Sequence, residues 1–280
     1  MENQNAIQDP VRNYFDQTVP IYRSWSKNHL HMGLWRNNTR NHEESLDNMT
    51  KFVSKLLDIE EGDRILDAGC GIGGSTRYIA SEFGVKTIGI NISRVQLHKA
   101  VKLSKDVKNS CLIRYYCQDY TKTFFPSAYF SKIFAIESVC HTRDKNAFIE
   151  EAFRLLRRGG RIVVVDGFQK QNPITSKERS MYQRFLKGWA VPNLETFASF
   201  SGKLKQAGFN RVHQYDLTKN VLRSLFLIHR SAKRLYPIAY LLRKLKIVNK
   251  IWYGHLQGAY ELQKLVNLQI CNYGAIVAEK

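Results

Sequence analysis

The chain lacks any apolar run long enough to cross a membrane. No stretch of about 18 apolar residues occurs among its 280 residues, so we expect no transmembrane helix. Cysteine is also scarce: there are five, an odd number, and none forms a Cys-x-x-Cys pair. With no recognisable signal peptide, this usage predicts a reducing, cytoplasmic environment rather than a disulfide framework.

Acidic residues are few. The 24 aspartates and glutamates face 43 lysines and arginines, for a formal net charge of +19, and no acid occurs from Leu217 through Tyr260. Such an imbalance indicates an anionic partner, which is a nucleic acid, an acidic membrane surface or a phosphorylated substrate. The alternative is a basic surface that only serves solubility.

Two kinds of site motif are missing as well. His29, His31 and His42 lie near one another in sequence, but no set of cysteines and histidines has the spacing of a zinc site. Neither a Gly-x-Ser-x-Gly nor a His-Glu-x-x-His motif occurs. We therefore expect no metal.

The most informative stretch present runs from Arg64 to Ser75, with the sequence RILDAGCGIGGS. An apolar run leads into an acid and then into alternating glycines, and a helix opens directly afterwards. Glycines after a buried strand let the backbone turn sharply and let a ligand approach closely. This pattern predicts a nucleotide-binding strand, loop and helix, with a glycine-rich turn that binds no ligand as the alternative. A dinucleotide fingerprint would place an acid after the second strand, where this chain has Asn91.

Alternation of short apolar runs with amphipathic segments predicts a doubly wound parallel sheet. The predicted strands after the first are 86–90, 113–117, 132–136, 161–166, 210–217 and 275–278, and the predicted helices include 11–17, 20–25, 41–57, 93–103, 144–156, 169–191 and 194–207. We divide the chain into an N-terminal helical lid at 1–42, a core at 43–217 with cap elements at 169–193, a basic helical insertion or cap at 218–267, and a final strand of the core at 268–280.

Four motifs stand in order along this pattern: DAGCGIGG, GINISRVQ, IESVCH and LLRRGGRIVVVD. In that order and spacing they resemble the motifs of class I S-adenosylmethionine (SAM) methyltransferases. The small-molecule group that contains sterol, tocopherol and isoprenoid C-methyltransferases is the most similar. The resemblance covers about residues 10–215 and the final strand. It implies a Rossmann-like sheet of about seven strands with helices on both faces, a helical lid or cap, and S-adenosyl-L-methionine as the cofactor.

The resemblance also implies a set of cofactor-binding residues. Asp119, after the third strand, would accept a hydrogen bond from the adenine amino group. Asn91 departs from the ribose-binding acid of many relatives, although an amide can still donate and accept. The full set is Tyr22, Asp67, Gly69, Gly71, Gly73, Asn91, Ile92, Gln96, Asp119, Tyr120 and Glu137.

Glu137 and His141 follow the fourth strand and are the candidate catalytic residues. A base at that position would remove a proton from a hydroxyl group or from a carbocation, and a carboxylate would also stabilise the cation. Both residues could instead be packed without a catalytic role. Tyr14, His31, Trp35 and Trp189 are the candidate substrate-binding residues, and core packing is the alternative for the aromatic ones.

The leading functional hypothesis is methyl transfer to a lipophilic small molecule, with C-methylation of an isoprenoid, sterol or quinol-like acceptor favoured. N- or O-methylation of a specialised metabolite is the alternative. A nucleic-acid methyltransferase is less favoured, because the motifs of that class are missing after the fourth strand. The basic insertion predicts an anionic substrate or a peripheral contact with an anionic membrane, unless it is an ordinary packed helix.

Overall fold

A seven-stranded sheet forms the centre of the protein, and the computed structural model describes residues 10–26 and 28–280, without the side chains of residues 22–24. The strand order is β3-β2-β1-β4-β5-β7-β6. The strands are β1 Arg64–Ala68, β2 Lys86–Asn91, β3 Ile113–Cys117, β4 Phe130–Ile136, β5 Leu156–Gln169, β6 Asn210–Asp216 and β7 Cys271–Glu279. The predicted Rossmann-like sheet is confirmed. A wholly parallel sheet is wrong, because β7 runs antiparallel to both β5 and β6.

Nine α-helices surround the sheet in the described part of the chain: α1 Pro10–Trp25, α2 His42–Leu57, α3 Gly74–Phe83, α4 Arg94–Leu103, α5 Lys145–Leu155, α6 Ser176–Gly188, α7 Phe197–Gln206, α8 Thr218–Lys244 and α9 Lys250–Asn267. Side-chain caps fix where several of them begin. Asn41, Ser93 and Asp144 each accept a hydrogen bond from a backbone N–H in the first turn of the helix that follows. These caps hold the loops between strands and helices in defined positions.

Strands β4, β5 and β7 are longer than predicted, and two helical segments differ from the prediction. The N-terminal segment forms one helix that continues through Pro20, not two. Because the ring of Pro20 is exposed, the carbonyl group that it leaves without an intrahelical bond can be hydrated. The helix predicted over 169–191 begins only at Ser176, because β5 continues to Gln169 through its pairing with β7.

Both faces of the sheet are covered. Phe134 and Val163 belong to the apolar cluster on the face of α2, α3, α6, α8 and α9, whereas Ile133 and Val164 belong to the cluster with α5 and α7. The long helices α8 and α9 pack against each other, α9 also packs on α6, and α1 contacts both α4 and α9. The carboxyl ends of β1, β2 and β4 therefore open towards a layer built from the first helix and the basic insertion. No helix in the described ranges combines the length and the apolarity needed to cross a bilayer.

Candidate active site

The glycine loop lies between the end of β4 and the N-terminal lid. Gly69 and Gly71 both have positive φ angles, +90° and +54°. A Cβ atom on Gly69 would lie 2.4 Å from Cβ of Ser138, and one on Gly71 would lie 3.1 Å from Cδ1 of Leu30. Side chains are thus excluded here both by backbone conformation and by space. Gly73 also has a positive φ, but it packs against Tyr115 and does not line the cavity.

Asp67 joins β1 to the helix after the loop. Its Oδ2 atom accepts a hydrogen bond of 2.6 Å from Oγ1 of Thr76, on α3. Burial raises the pKa of Asp67 to about 7, and the hydrogen bonds from Thr76 oppose that rise. Asp67 therefore links the end of β1 to α3, and it also lines the cavity.

A second wall of the cavity comes from the end of β2 and the start of α4. Asn91 Nδ2 donates to Oε1 of Gln96 over 2.7 Å, and Asn91 Oδ1 accepts from the backbone N–H of Ser93. Nε2 of Gln96 is buried with no hydrogen-bond partner among the described residues. A buried donor without a partner is costly, so this wall favours a polar ligand. Ile92 lines the same wall.

The remaining predicted cofactor residues divide into two groups. Tyr120 lines the cavity and donates through its hydroxyl to the carbonyl of Ser138. Asp119 is exposed and accepts from the backbone and hydroxyl of Thr121 instead, outside the lining. Its contact with adenine stays a prediction. The side chain of Tyr22 lies outside the described part of the structure.

Glu137, directly after β4, is held by two hydrogen bonds to one oxygen. Its Oε1 atom accepts from the backbone N–H of Met32 and from the hydroxyl of Tyr273, each over 2.6 Å. The residue has a φ of +50°, an unfavourable conformation for a side chain with a Cβ. Burial raises the pKa of Glu137 to about 7, although both hydrogen bonds favour the ionised form. A carboxyl group with this pKa can both bind and release a proton near neutral pH.

His141 points its ring into the same cavity. Its Nδ1 donates to the backbone carbonyl of Ala190 over 3.2 Å, which leaves Nε2 as the unprotonated nitrogen of the neutral ring. Burial lowers the pKa of His141 to about 4, so the ring is neutral at pH 7. Phe15 of the lid contacts the ring edge to face, with the centroids 4.8 Å apart.

A buried lysine fixes the loop that carries His141. Nζ of Lys145 donates to the carbonyls of Cys140 and Thr142 and to both oxygens of Asn193, at 2.5 to 3.3 Å. These bonds tie the segment after β4 to the segment after α6. Sequence analysis did not find this residue, because a lysine in the first turn of a helix normally lies in water.

Two cavities meet at Glu137. The glycine-loop cavity is lined by the loop, the wall of α4, Glu137 and His141, and it encloses about 1330 Å³ of empty space including its open mouth. The helical chamber lies beside it, among α1, α8, α9 and the segment that follows α1, and it is lined largely by apolar side chains. The two share Leu30, His31, Met32, Glu137 and Trp189. Neither has a lysine or an arginine among its described lining residues.

Two of the four predicted substrate-binding residues line these cavities, and two do not. Trp189 and His31 line both cavities, although both ring nitrogens of His31 already have protein partners, His29 Nδ1 and the carbonyl of Met32. Tyr14 lies behind the chamber wall and is hydrogen-bonded to His255 over 2.7 Å. Trp35 donates to Ser224 on α8, and neither Tyr14 nor Trp35 lines a cavity. These contacts favour core packing for both.

Tyr273, which lines the cavity and donates to Glu137, is the clearest candidate-site residue that sequence analysis missed. It lies on β7, more than a hundred residues beyond Glu137, and its only signal was a hydroxyl group in a largely apolar strand. Among the residues that the structure describes, no group of three histidines, cysteines or acids is arranged to hold a metal ion.

Comparison with known proteins agrees with this geometry. The family described as a methyltransferase domain matches residues 66–164. The chain is 26% identical over 227 residues to 24-methylenesterol C-methyltransferase 3 of Arabidopsis thaliana, covering 78% of this chain and 61% of that protein. It is 30% identical over 176 residues to phosphoethanolamine N-methyltransferase of Triticum aestivum, covering 63% and 34%. The chain thus spans less than two thirds of either relative.

Among solved structures, the cyclopropane synthase MmaA2 of Mycobacterium tuberculosis superposes with a TM-score of 0.83, covering 99% of this chain and all of that one. The sequences are 14% identical, so this likeness concerns the fold. The resemblance to class I methyltransferases found from the sequence motifs is confirmed by these comparisons.

Proposed function

We propose that the protein transfers a methyl group from SAM to a neutral, lipophilic small molecule. The starting point is that residues 66–164 of this chain match a methyltransferase domain, which here has the class I fold. The observation that carries the proposal is the position of Glu137, at the junction of the glycine-loop cavity and the helical chamber. One cavity would hold the cofactor and the other the acceptor.

The residues of the glycine-loop cavity fit this cofactor. Gly69 and Gly71 line the cavity with backbone alone, and Nε2 of Gln96 is a buried hydrogen-bond donor without a partner among the described residues. SAM, when bound, supplies an electrophilic methyl group on a sulfonium cation. Glu137 is the acidic group of the shared wall, and as a carboxylate it would favour positive charge there.

The lining of the helical chamber defines the acceptor. Ile228 and Leu235 of α8 and Leu256 and Ala259 of α9 contribute apolar surface. A diphosphate would need arginine or lysine partners inside the site, and the described lining contains neither. We therefore propose an uncharged acceptor, with the cations of the insertion outside the chamber. This choice is supported by one relative, which is named as a sterol C-methyltransferase.

Two residues supply proton chemistry: Glu137 at the junction of the two cavities, and His141 in the glycine-loop cavity. Glu137, when ionised, stabilises a carbocation that forms on an alkylated double bond, and it accepts the proton that the cation then loses. His141, neutral with Nε2 unprotonated, is suited to take a proton from a hydroxyl or an ammonium group. The first role supports C-methylation, and the second keeps O- or N-methylation as the alternative.

The test is a turnover screen with methyl-labelled SAM against sterols, prenyl quinols, prenyl diphosphates and amines. We expect label on a neutral apolar acceptor, and loss of that turnover in Glu137→Gln. Label only on diphosphates or amines would contradict the acceptor proposed here, while absence of SAM binding by calorimetry would contradict the function as a whole.

We also propose that the protein contacts an anionic membrane at its periphery. The net charge of +19 and the stretch without acids from Leu217 through Tyr260 support such a contact.

A further inference from the structure

The outward face of α8 combines two features that rarely occur together on a soluble surface. Most of the exposed large hydrophobic side chains in the described chain fall within residues 222–247, among them Ile238 and Leu241, each 58% exposed. Arg230, Lys233 and Arg234 are exposed on the same helix. The inward face is mainly apolar, with Leu225, Ala232 and Ala239 buried. The helix is therefore apolar on both sides, with cations between.

The cations on this helix have no acidic partners. None of the ion pairs found among the described residues involves a lysine or arginine of residues 218–250. Arg223 instead lies over the ring of Trp35, and Lys244 over that of Tyr240. The positive field of this face is thus uncompensated, and it attracts an anionic surface within about a Debye length.

The helical chamber reaches this face. Leu235 lines the chamber and is also 51% exposed, so one side chain belongs both to the chamber wall and to the outer surface. Ser231, one turn earlier on α8, and Ile228, two turns earlier, line the chamber as well. The mouth of the chamber on this side is accordingly bordered by the apolar and basic face of α8.

We propose that α8 lies in the interface of an anionic membrane, with its aliphatic side chains inserted and its cations at the lipid headgroups, and that the acceptor moves from the bilayer into the chamber past Leu235. The docking of α8 on the membrane follows from the aliphatic and basic side chains on its outward face. The route of the acceptor rests on the function proposed above.

The composition of the face distinguishes a membrane from other polyanions. A nucleic acid would leave Ile238, Leu241 and Leu245 in water, because its backbone offers charge but little apolar surface for aliphatic side chains. An interfacial helix buries such side chains at the boundary of headgroup and acyl chain while its lysines and arginines stay hydrated. A second copy of this chain would bring the same positive charge towards itself, which opposes association.

The test is co-sedimentation with vesicles of phosphatidylcholine alone and of phosphatidylcholine with phosphatidylserine. We expect binding to the anionic vesicles only. Arg230→Gln, Lys233→Gln and Arg234→Gln together should weaken it about 100-fold, since each cation near an anionic surface contributes about fivefold. The matched control replaces three exposed cations elsewhere, Lys122, Arg158 and Lys205, with glutamine; it changes net charge equally and should retain binding.

A second variant tests insertion. Ile238→Ser with Leu241→Ser keeps every charge, and we expect it to weaken vesicle binding at high salt, where the electrostatic part is screened. Equal vesicle binding by the triple variant of Arg230, Lys233 and Arg234 and by its control would overturn the proposal. So would a change in oligomeric state or in RNA binding without any change in vesicle binding.

Leu235→Trp tests the route, because a larger side chain would narrow the mouth. We expect vesicle binding and SAM affinity to be kept while methyl transfer to a vesicle-borne acceptor falls. Unchanged transfer would overturn the route alone. If the unmodified protein does not bind SAM, the proposed function is contradicted instead, so the two failures are distinguishable.

Discussion

The hydroxyl of Tyr273 donates a 2.6 Å hydrogen bond to Oε1 of Glu137, and so connects the last strand to the end of the fourth. The bond exists because β7 pairs in antiparallel register beside β5, which brings Tyr273 opposite Gly167. It stabilises the ionised carboxylate in surroundings where burial favours the protonated form. Tyr273 is therefore a positioning residue that also tunes the acidity of Glu137.

Tyr273→Phe should raise the pKa of Glu137 above its value of about 7, because a donor to the charged form is lost. If ionised Glu137 is the active form, the acidic limb of the pH–rate profile moves to higher pH. The measurement is kcat/KM against pH, together with carbon NMR of labelled glutamate. Tyr182→Phe is the control, since its hydroxyl donates to Gln169 instead. An unmoved limb in Tyr273→Phe would contradict the role assigned to this bond.

Glu137→Gln and His141→Gln, made separately, should each test proton chemistry without emptying the cofactor site. Loss of an acid–base group costs on the order of 100-fold in turnover. In Glu137→Gln the amide oxygen can still accept from Met32 and Tyr273, so calorimetry with S-adenosylhomocysteine, which carries no sulfonium charge, should show little change in affinity. His213→Gln, an exposed histidine on β6, is the control. If both variants turn over normally, alignment of the acceptor alone accounts for the reaction.

The glycine loop and the strand ends could be predicted from sequence because their signals are local. Gly69, Gly71 and Asn91 stand directly beside the apolar runs that form β1 and β2, and the carboxyl ends of parallel strands share an edge. Tyr273 could not be predicted in the same way. Its place depends on the register of β7 between β5 and β6, which no short motif encodes.

The helical chamber was equally inaccessible from sequence. It forms only where α8 and α9 fold back over α1, and residues as distant as Ile21 and Leu256 meet in its wall. Sequence analysis found the basic, apolar composition of α8 and favoured a helical cap, but it did not identify the helices against which α8 packs. Trp189, predicted to contact substrate, does lie at the junction of the two cavities, because it follows α6 and stacks on His255 of α9.

Lys145→Met should destabilise the protein, because the buried ammonium group satisfies carbonyl oxygens on two segments. Leaving such acceptors without a donor costs about 2 kcal/mol of the free energy of unfolding. Urea denaturation measures this. Lys203→Met, which removes a more exposed lysine paired with Glu195, should cost less than about 1 kcal/mol. Equal losses in the two variants would show that Lys145 does not hold the loop of His141.

Gly71→Arg should abolish SAM binding. The new side chain would start 3.1 Å from Leu30 and extend into the cavity, from a backbone with φ of +54°. Gly159→Arg is the matched control, because Gly159 also has a positive φ, +71°, but open space around it and no place in the cavity. Calorimetry on both, with thermal unfolding to verify the fold, separates backbone strain from blocked binding. Retained affinity in folded Gly71→Arg would contradict the cofactor site.

Gln96→Glu should weaken binding of S-adenosylhomocysteine roughly 10- to 100-fold, the cost of one lost buried hydrogen bond with an unsatisfied partner. The change keeps the Oε1 atom that accepts from Asn91 and removes the Nε2 donor that has no partner among the described residues. S-adenosylhomocysteine carries no sulfonium charge, so attraction between a new carboxylate and a cation cannot mask the loss. Mildly alkaline pH keeps that carboxyl group ionised, and Gln206→Glu, on the exposed end of α7, controls for the charge itself. Unchanged affinity would mean that the side-chain amide of Gln96 faces solvent in the bound state. The wall formed by α4 would then make no hydrogen bond to the cofactor through this residue.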